Sequence, residues 1–236
     1  VRAAFVTGGS SGIGLAIARV LGEAGHDLTI TSRRGDRLEA AAEQLRGEGL
    51  TVQAVAGNLA DERAIAAAVA AHGERYGRMD VLVNNAGMGI SAEIDAYSVK
   101  HIDLQLAVNL RAVILGYRFA GPLLRRAGAE HRNALVVNTA SVTAERPQPL
   151  MPIYATTKAA VVGLTRAMNV DLGAAGIKSC ALCPGIVATE MTADEEMPDD
   201  EKIAPQDVAG AVRWLLSTSP ACVVEQIPFR RPGGID

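Results

Sequence analysis

Seven short apolar runs, each separated from the next by a longer stretch of helical spacing, constrain this chain more than any other feature. The runs are residues 3–7, 28–31, 51–56, 81–84, 134–138, 177–183 and 223–228. Several are almost continuously apolar, which suits strands buried on both faces rather than strands with one wet face. Between them lie 13–24, 35–46, 61–76, a long stretch 99–126, 153–174 and 205–216, with helical composition and spacing. Strand–helix–strand repetition predicts an α/β fold, a doubly wound Rossmann-type parallel sheet of about seven strands with helices on both faces. Asp61 stands where a helix cap is needed, and Gly25, Gly49 and Gly176 follow helices as stop signals. No Pro/Gly linker, repeat or low-complexity tail divides the chain, so one domain over 1–236 is expected.

Composition narrows the class. With 236 residues, 49% hydrophobic and 21% charged, the chain can bury a core without disulfides or a structural metal. The net charge of −3 (23 basic against 26 acidic residues) offers no basic excess for nucleic acid or a polybasic membrane contact. The longest charge-free run, from Ala3 to Ala18, is broken by Gly8-Gly9-Ser10-Ser11-Gly12, so no membrane span is expected. The first residues read as a strand rather than a secretory leader, and a cytoplasmic location is expected. Cys180 and Cys183 form a C-x-x-C, but residues three apart on a strand face opposite ways and no second pair completes a zinc site. The three cysteines, Cys222 included, are expected to be unpaired. His26, His72, His101 and His131 have no metal-ligand spacing and are expected on the surface; no metal is expected.

In an open parallel sheet, ligands bind beyond the carboxyl ends of the strands. Six segments fall at those ends: Gly8–Gly14, Ser32-Arg33-Arg34, Gly57-Asn58, Asn85-Ala86-Gly87, Ser141 and Pro184-Gly185. The first reads Thr7-Gly8-Gly9-Ser10-Ser11-Gly12-Ile13-Gly14 and runs from a strand into a helix. Glycines there remove Cβ atoms that would block a pyrophosphate, and the helix N-terminus offers free N–H groups to it. At the end of the second strand a carboxylate would bind the 2′-hydroxyl of NAD; here Ser32, Arg33 and Arg34 stand instead. Guanidinium groups pair with a 2′-phosphate, so NADP(H) is expected rather than NAD(H).

Tyr154 and Lys158, at i and i+4, share one helical face. A phenol with a pKa of about 10 is a poor base near neutrality. A neighbouring ammonium and an oxidised nicotinamide would both favour its phenolate. Ser141, at the end of the fifth strand, could hold a carbonyl oxygen beside Tyr154.

With these residues in view, the chain resembles the short-chain dehydrogenases/reductases from Ala3 to about Val224. Thr7-Gly8-x-x-x-Gly12-Ile13-Gly14 looks like the family's cofactor loop and Asn84-Asn85-Ala86-Gly87 like its fourth-strand motif. Ser141, Tyr154 and Lys158 match its catalytic residues in order and spacing, and Asn109 matches its helix asparagine. The resemblance implies that Tyr154 exchanges a proton with the substrate oxygen and that Ser141 orients it. It implies that Lys158 holds the nicotinamide ribose and that Asn109 holds a water linking Lys158 to solvent. It places cofactor contacts at Gly8, Ser10, Ser11, Gly12, Ile13, Gly14, Ser32, Arg33, Arg34, Asn58, Leu59, Asn85, Ala86, Gly87, Tyr154, Lys158, Pro184, Gly185, Val187 and Thr189. Substrate contacts are expected at Ser141, Thr143, Leu150, Tyr154 and Met191, with a lid over 186–204 that is acidic beyond Met191. Met88, Gly89, Ile90, Val142 and Met151 are further candidate walls.

Two departures stand out. Asn58 occupies a position where many members carry Asp facing adenine, and its carbonyl oxygen can still accept a hydrogen bond. The tail from Pro228 to Asp236 lacks the usual Gly-rich ending, which bears on the tetramer but not on the catalytic residues. The expected activity is hydride transfer between NADP(H) and a ketone or secondary alcohol, by a homodimer or homotetramer. A 3-oxoacyl-carrier-protein reductase is the alternative within the class. A non-catalytic nucleotide sensor or scaffold predicts a damaged Ser/Tyr/Lys set, and a flavodoxin-like binding protein has no need of Tyr154 and Lys158 together.

Overall fold

Along the first strand, β1 (Arg2–Thr7), Ala4 and Val6 enter one apolar core and Phe5 enters another. Period-two alternation with both faces apolar requires cover on both sides. In the computed structural model, which describes residues 1–233, helices supply it. The remaining strands are β2 (His26–Ser32), β3 (Val52–Ala56), β4 (Val81–Asn84), β5 (Ala134–Thr139), β6 (Ile177–Pro184) and β7 (Gln226–Phe229). They form one seven-stranded sheet in the order β3-β2-β1-β4-β5-β6-β7. Every pairing is parallel. The order reverses between β1 and β4, which opens a crevice above their carboxyl ends.

Helices α1 (Gly12–Glu23), α2 (Gly35–Gly47) and α7 (Pro205–Ser217) cover one face; Ile17, Leu21, Leu38, Leu45 and Val212 pack there with Ile30 and Val83. Helices α3 (Glu62–Tyr76), α5 (Ala112–His131) and α6 (Pro152–Leu172) cover the other, with Val69, Tyr117, Leu124 and Val161 against Leu82 and Val136. Cys180 joins the first core and Cys183 the second, so the C-x-x-C faces two ways, and Cys222 is exposed and free. The Asp61 side chain accepts from the Arg63 amide at 2.9 Å, capping α3 as expected. Among the described residues no group of His, Cys, Asp and Glu could hold a metal, and no helix is long and apolar enough to cross a membrane.

The structure departs from the sequence expectations in three places. The long helix 99–126 is α4 (Val99–Leu106), a π-helical turn at Ala107–Arg111, and α5, which runs on to His131. The extension lets Gly128 approach the Gly173–Ala175 turn so closely that a Cβ would lie 2.3 Å from the Ala175 carbonyl oxygen. The last strand starts three residues late, because its register against β6 begins at Ala181↔Gln226. Its Pro228 is tolerated on an edge strand. His26 and His72 are not on the surface: they are 4% and 0% exposed. His72 is held inside by Arg78, whose carbonyl is 2.9 Å from Nε2, and by the Thr29 hydroxyl, 2.8 Å from Nδ1. Nε2 therefore carries the proton and Nδ1 accepts from Thr29. Of the unusual tail, Gly234 to Asp236 lie outside the described residues.

Candidate active site

A groove of about 450 Å³ runs along the carboxyl ends of the strands. Its floor is tied together by Thr7 and Asn85. The Thr7 hydroxyl accepts from the amides of Asn85 (2.9 Å) and Ala86 (3.0 Å). Asn85 Nδ2 donates to the Thr7 carbonyl at 3.2 Å, and its Oδ1 accepts from the Thr139 hydroxyl at 3.1 Å. One asparagine thus joins the loops after β1, β4 and β5. The loop after β1 is packed to contact: a Cβ on Gly14 would stand 2.2 Å from the Gly8 carbonyl oxygen and 2.5 Å from Asn85 Nδ2. Gly12, at a φ of +53°, would drive a Cβ to 2.9 Å from Thr189 Cγ2. The missing side chains leave the N-terminus of α1 open toward the groove, the donor set a pyrophosphate requires.

The reactive end is built from β5, β6 and α6. Pro152 at the first turn of α6 starts that helix, and Tyr154 and Lys158 lie one turn apart on it. Lys158 is 3% exposed; its Nζ donates to the Thr139 carbonyl at 2.8 Å and lies 5.4 Å from the Tyr154 ring centre. Burial pulls the Lys158 pKa down to about 8. Burial pushes the Tyr154 phenol above its usual value, and the Ser141 hydroxyl works in the other direction. In the protein alone, the cost of burying a phenolate outweighs the help from Ser141, so the phenol is held protonated. Ser141 Oγ accepts from the Thr143 amide at 3.2 Å and lies 3.4 Å from the Pro184 carbonyl, so its hydrogen is only loosely held.

Asn109 sits in the π-helical turn, a feature that recurs at functional sites. Its Oδ1 accepts from the Met88 amide at 2.9 Å and its Nδ2 donates to the Met88 carbonyl at 2.8 Å. The side-chain amide therefore fixes a groove wall rather than bonding to Lys158. Gly87 lies between the two: a Cβ there would be 3.3 Å from Lys158 Nζ and 3.4 Å from Asn109 Oδ1.

Most of the residues expected from sequence come together on this groove. Gly8, Ser10, Ser11, Gly12, Ile13, Ser32, Arg33, Asn58, Leu59, Asn85, Ala86 and Gly87 line it, as do Ser141, Tyr154, Lys158, Pro184, Gly185, Val187, Thr189 and Met191. Asn58 Oδ1 also accepts from the Ala60 amide at 3.1 Å, which orients its side chain. Gly14 stands behind the loop. Arg34 does not line the groove; its Nη2 lies 3.4 Å from Glu190. Thr143 is buried with its hydroxyl unpartnered, and Leu150 is 51% exposed at a φ of +62°; neither lines the groove. Met88, a candidate wall, does line it, whereas Gly89, Ile90, Val142 and Met151 do not. The sequence reading missed Leu104 and Val108, which share the lining. Their spacing of four was visible, but the passage from α4, which carries Leu104, into the π-helical turn, which carries Val108, was not. Glu190 was missed as well, because a lone acidic residue in a lid reads as solvated.

The chain matches the short chain dehydrogenase family over residues 2–200, and it belongs to that family. A relative from Staphylococcus epidermidis, described as an uncharacterized oxidoreductase, is 31% identical over 232 residues, covering 97% of this chain and 96% of the relative. An alcohol dehydrogenase from the archaeon Thermococcus sibiricus, solved with 5-hydroxy-NADP, superposes with a TM-score of 0.88 at 29% identity, covering 98% of each chain. A 3-ketoacyl-(acyl-carrier-protein) reductase from Brucella melitensis, solved with NADH, gives a TM-score of 0.88 at 28% identity, covering 96% of each chain. The family is one of oxidoreductases, and the sheet described above is its Rossmann-like sheet.

Proposed function

We propose that this chain transfers a hydride between NADP(H) and a ketone or secondary alcohol, with Tyr154 as general acid and base. The observation that carries this reading is the distribution of chemistry along one groove. Ser141, Tyr154 and Lys158 line one end, Ser32 and Arg33 line the other, and the glycine cradle lies between. A bound nicotinamide supplies the hydride donor or acceptor.

The chain's own residues supply the rest. The Ser141 hydroxyl, weakly held by Pro184, turns to donate to the substrate oxygen and holds the carbonyl at the nicotinamide end. In reduction the Tyr154 O–H gives its proton to that oxygen as the hydride reaches carbon; in oxidation the phenolate takes the proton from the alcohol. Lys158, fixed by Thr139, would hold a ribose hydroxyl of the cofactor, and its positive charge would favour the phenolate as the proton leaves. Asn109 holds the Met88 wall in place. Arg33 would pair with a 2′-phosphate at the far end, where a carboxylate would repel it.

The Thermococcus alcohol dehydrogenase with its NADP-type ligand supports the cofactor and substrate class; the Brucella reductase with NADH shows that this fold also takes the other dinucleotide. Met88, Leu104, Val108 and Met191 give mainly apolar walls, suited to a substrate of modest polarity. Asp194, Glu195 and Glu196 are exposed on the lid and oppose docking of an acidic carrier, so a free small ketone is favoured over a 3-oxoacyl carrier. Val99, Leu106, Ile114 and Val170 leave apolar side chains exposed on α4, α5 and α6, which supports self-association as a homodimer or homotetramer.

The test is NADPH oxidation across a panel of small ketones, 3-oxo esters and a 3-oxoacyl carrier protein, repeated with NADH. Consumption of NADPH with a small ketone is expected. Faster turnover with NADH would overturn the cofactor assignment, and no turnover with any carbonyl would overturn the activity.

A further inference from the structure

Glu190 opens the short turn Glu190–Thr192 beyond β6, and its carboxylate reaches across the groove to the start of α2. Arg37 grips it with two nitrogens: Nη1 donates to Oε2 at 2.8 Å and Nη2 donates to Oε1. Arg34 Nη2 lies 3.4 Å from the same Oε2. The partners are 153 and 156 residues apart in sequence, so these pairs bind the lid to the α2 N-terminus. On one side of Glu190, Thr189 packs on Gly12 of the glycine cradle; on the other, Met191 lines the groove. The arginine end lies beside Arg33, where the proposed function places the 2′-phosphate. Side chains of Glu190, Arg34 and Arg37 are 55%, 56% and 39% exposed, so the pairs are solvent-screened and open to competition.

We propose that Glu190 is a specificity-determining strap that competes with the cofactor's 2′-phosphate. Without that phosphate, the carboxylate occupies Arg34 and Arg37 and holds the lid down. A 2′-phosphate on Arg33 stands next to Arg34, draws its guanidinium from Glu190, repels the carboxylate and loosens the strap, so the position of the Met191 wall depends on which dinucleotide is bound. No carboxylate opposes NADH in the same way, because its free 2′-hydroxyl is neutral. The inference rests on the reading of Arg33 as the 2′-phosphate site.

Calorimetric binding of 2′,5′-ADP and 5′-AMP to wild type, Glu190→Gln and Arg33→Ala separates the possibilities without turnover. Glu190→Gln is expected to bind 2′,5′-ADP about three- to tenfold more tightly while 5′-AMP changes by less than about twofold. If Glu190→Gln leaves the ratio of the two affinities unchanged while Arg33→Ala lowers it, the strap is overturned and the NADP(H) reading stands. If Arg33→Ala also leaves the ratio unchanged, the 2′-phosphate site is misplaced and both readings fall.

Discussion

Lys158 Nζ donates to the Thr139 carbonyl at 2.8 Å while lying 5.4 Å from the centre of the Tyr154 ring. The last residue of β5 therefore aims the ammonium, and the phenol two helical positions into α6 meets its charge obliquely. Because burial raises the Tyr154 pKa in the protein alone, the phenol is an acid at rest. Under the proposed function, its service as a base would depend on added positive charge, which an oxidised nicotinamide beside it would provide. Reduction thus starts from the protonated form the protein favours, and oxidation is expected to need higher pH.

Removing the phenol oxygen isolates the proton-transfer step. Tyr154→Phe keeps the ring against Lys158 and is expected to bind NADPH within about threefold of wild type while turnover falls by about 10²–10⁴-fold. Fluorescence titration of NADPH and steady-state rates check the two halves. Wild-type turnover in this variant removes Tyr154 from the mechanism.

The lysine leaves a signature in stability. Its pKa falls from an ordinary 10.5 to about 8 in the folded chain. Between those values the unfolded chain holds the extra proton, so this group makes stability rise with pH across that window and imposes its full cost below it. Relative to Lys158→Met, wild type should gain about 3 kcal/mol from pH 7 to pH 11. Urea melts of the two proteins across this range measure the difference; a constant gap would show that the ammonium is not buried.

The catalytic pattern and the sheet were legible because they depend on local chemistry. Short apolar runs exposed the buried strands, Ser141 stood just past the fifth of them, and Tyr154 and Lys158 stood four apart on the helix that follows. What escaped depends on contacts between distant segments. His72 looks like any polar residue near a helix end, yet Thr29 on β2 and the Arg78 carbonyl satisfy both its nitrogens inside the core. Thr143 stood two residues from Ser141, but the Val142–Ala144 turn directs it away from the groove. Arg34 and Arg33 were indistinguishable as neighbours; in the fold Arg33 lines the groove while Arg34 pairs with Glu190, 156 residues away.

His72 should set the acid limit. Burial lowers its pKa from 6.5 to about 4, so the unfolded chain binds the proton first as pH falls. Stability from this group is complete above about 6.5 and is lost down to about 4. Relative to His72→Gln, wild type should lose about 3 kcal/mol from pH 7.5 to pH 4. Chemical melts at both pH values check it, and an equal acid loss in the variant would assign the effect elsewhere.

Gly14 and Gly210 test whether the cradle, rather than glycine as such, matters. A Cβ on Gly14 would overlap the Gly8 carbonyl oxygen at 2.2 Å and crowd Asn85, whereas a Cβ on Gly210 in α7 meets nothing within 4 Å. Backbone is the obstacle at Gly14, so the loop must shift. Gly14→Ala is expected to cost about 1–3 kcal/mol and to weaken NADPH binding by at least about tenfold, since the same atoms frame the pyrophosphate site. Gly210→Ala should instead stabilise the chain by about 0.5–1 kcal/mol through helix propensity, with NADPH binding unchanged. Thermal melts and NADPH titration of both variants decide it; if Gly14→Ala binds NADPH as wild type does, the cradle is not where the phosphates sit.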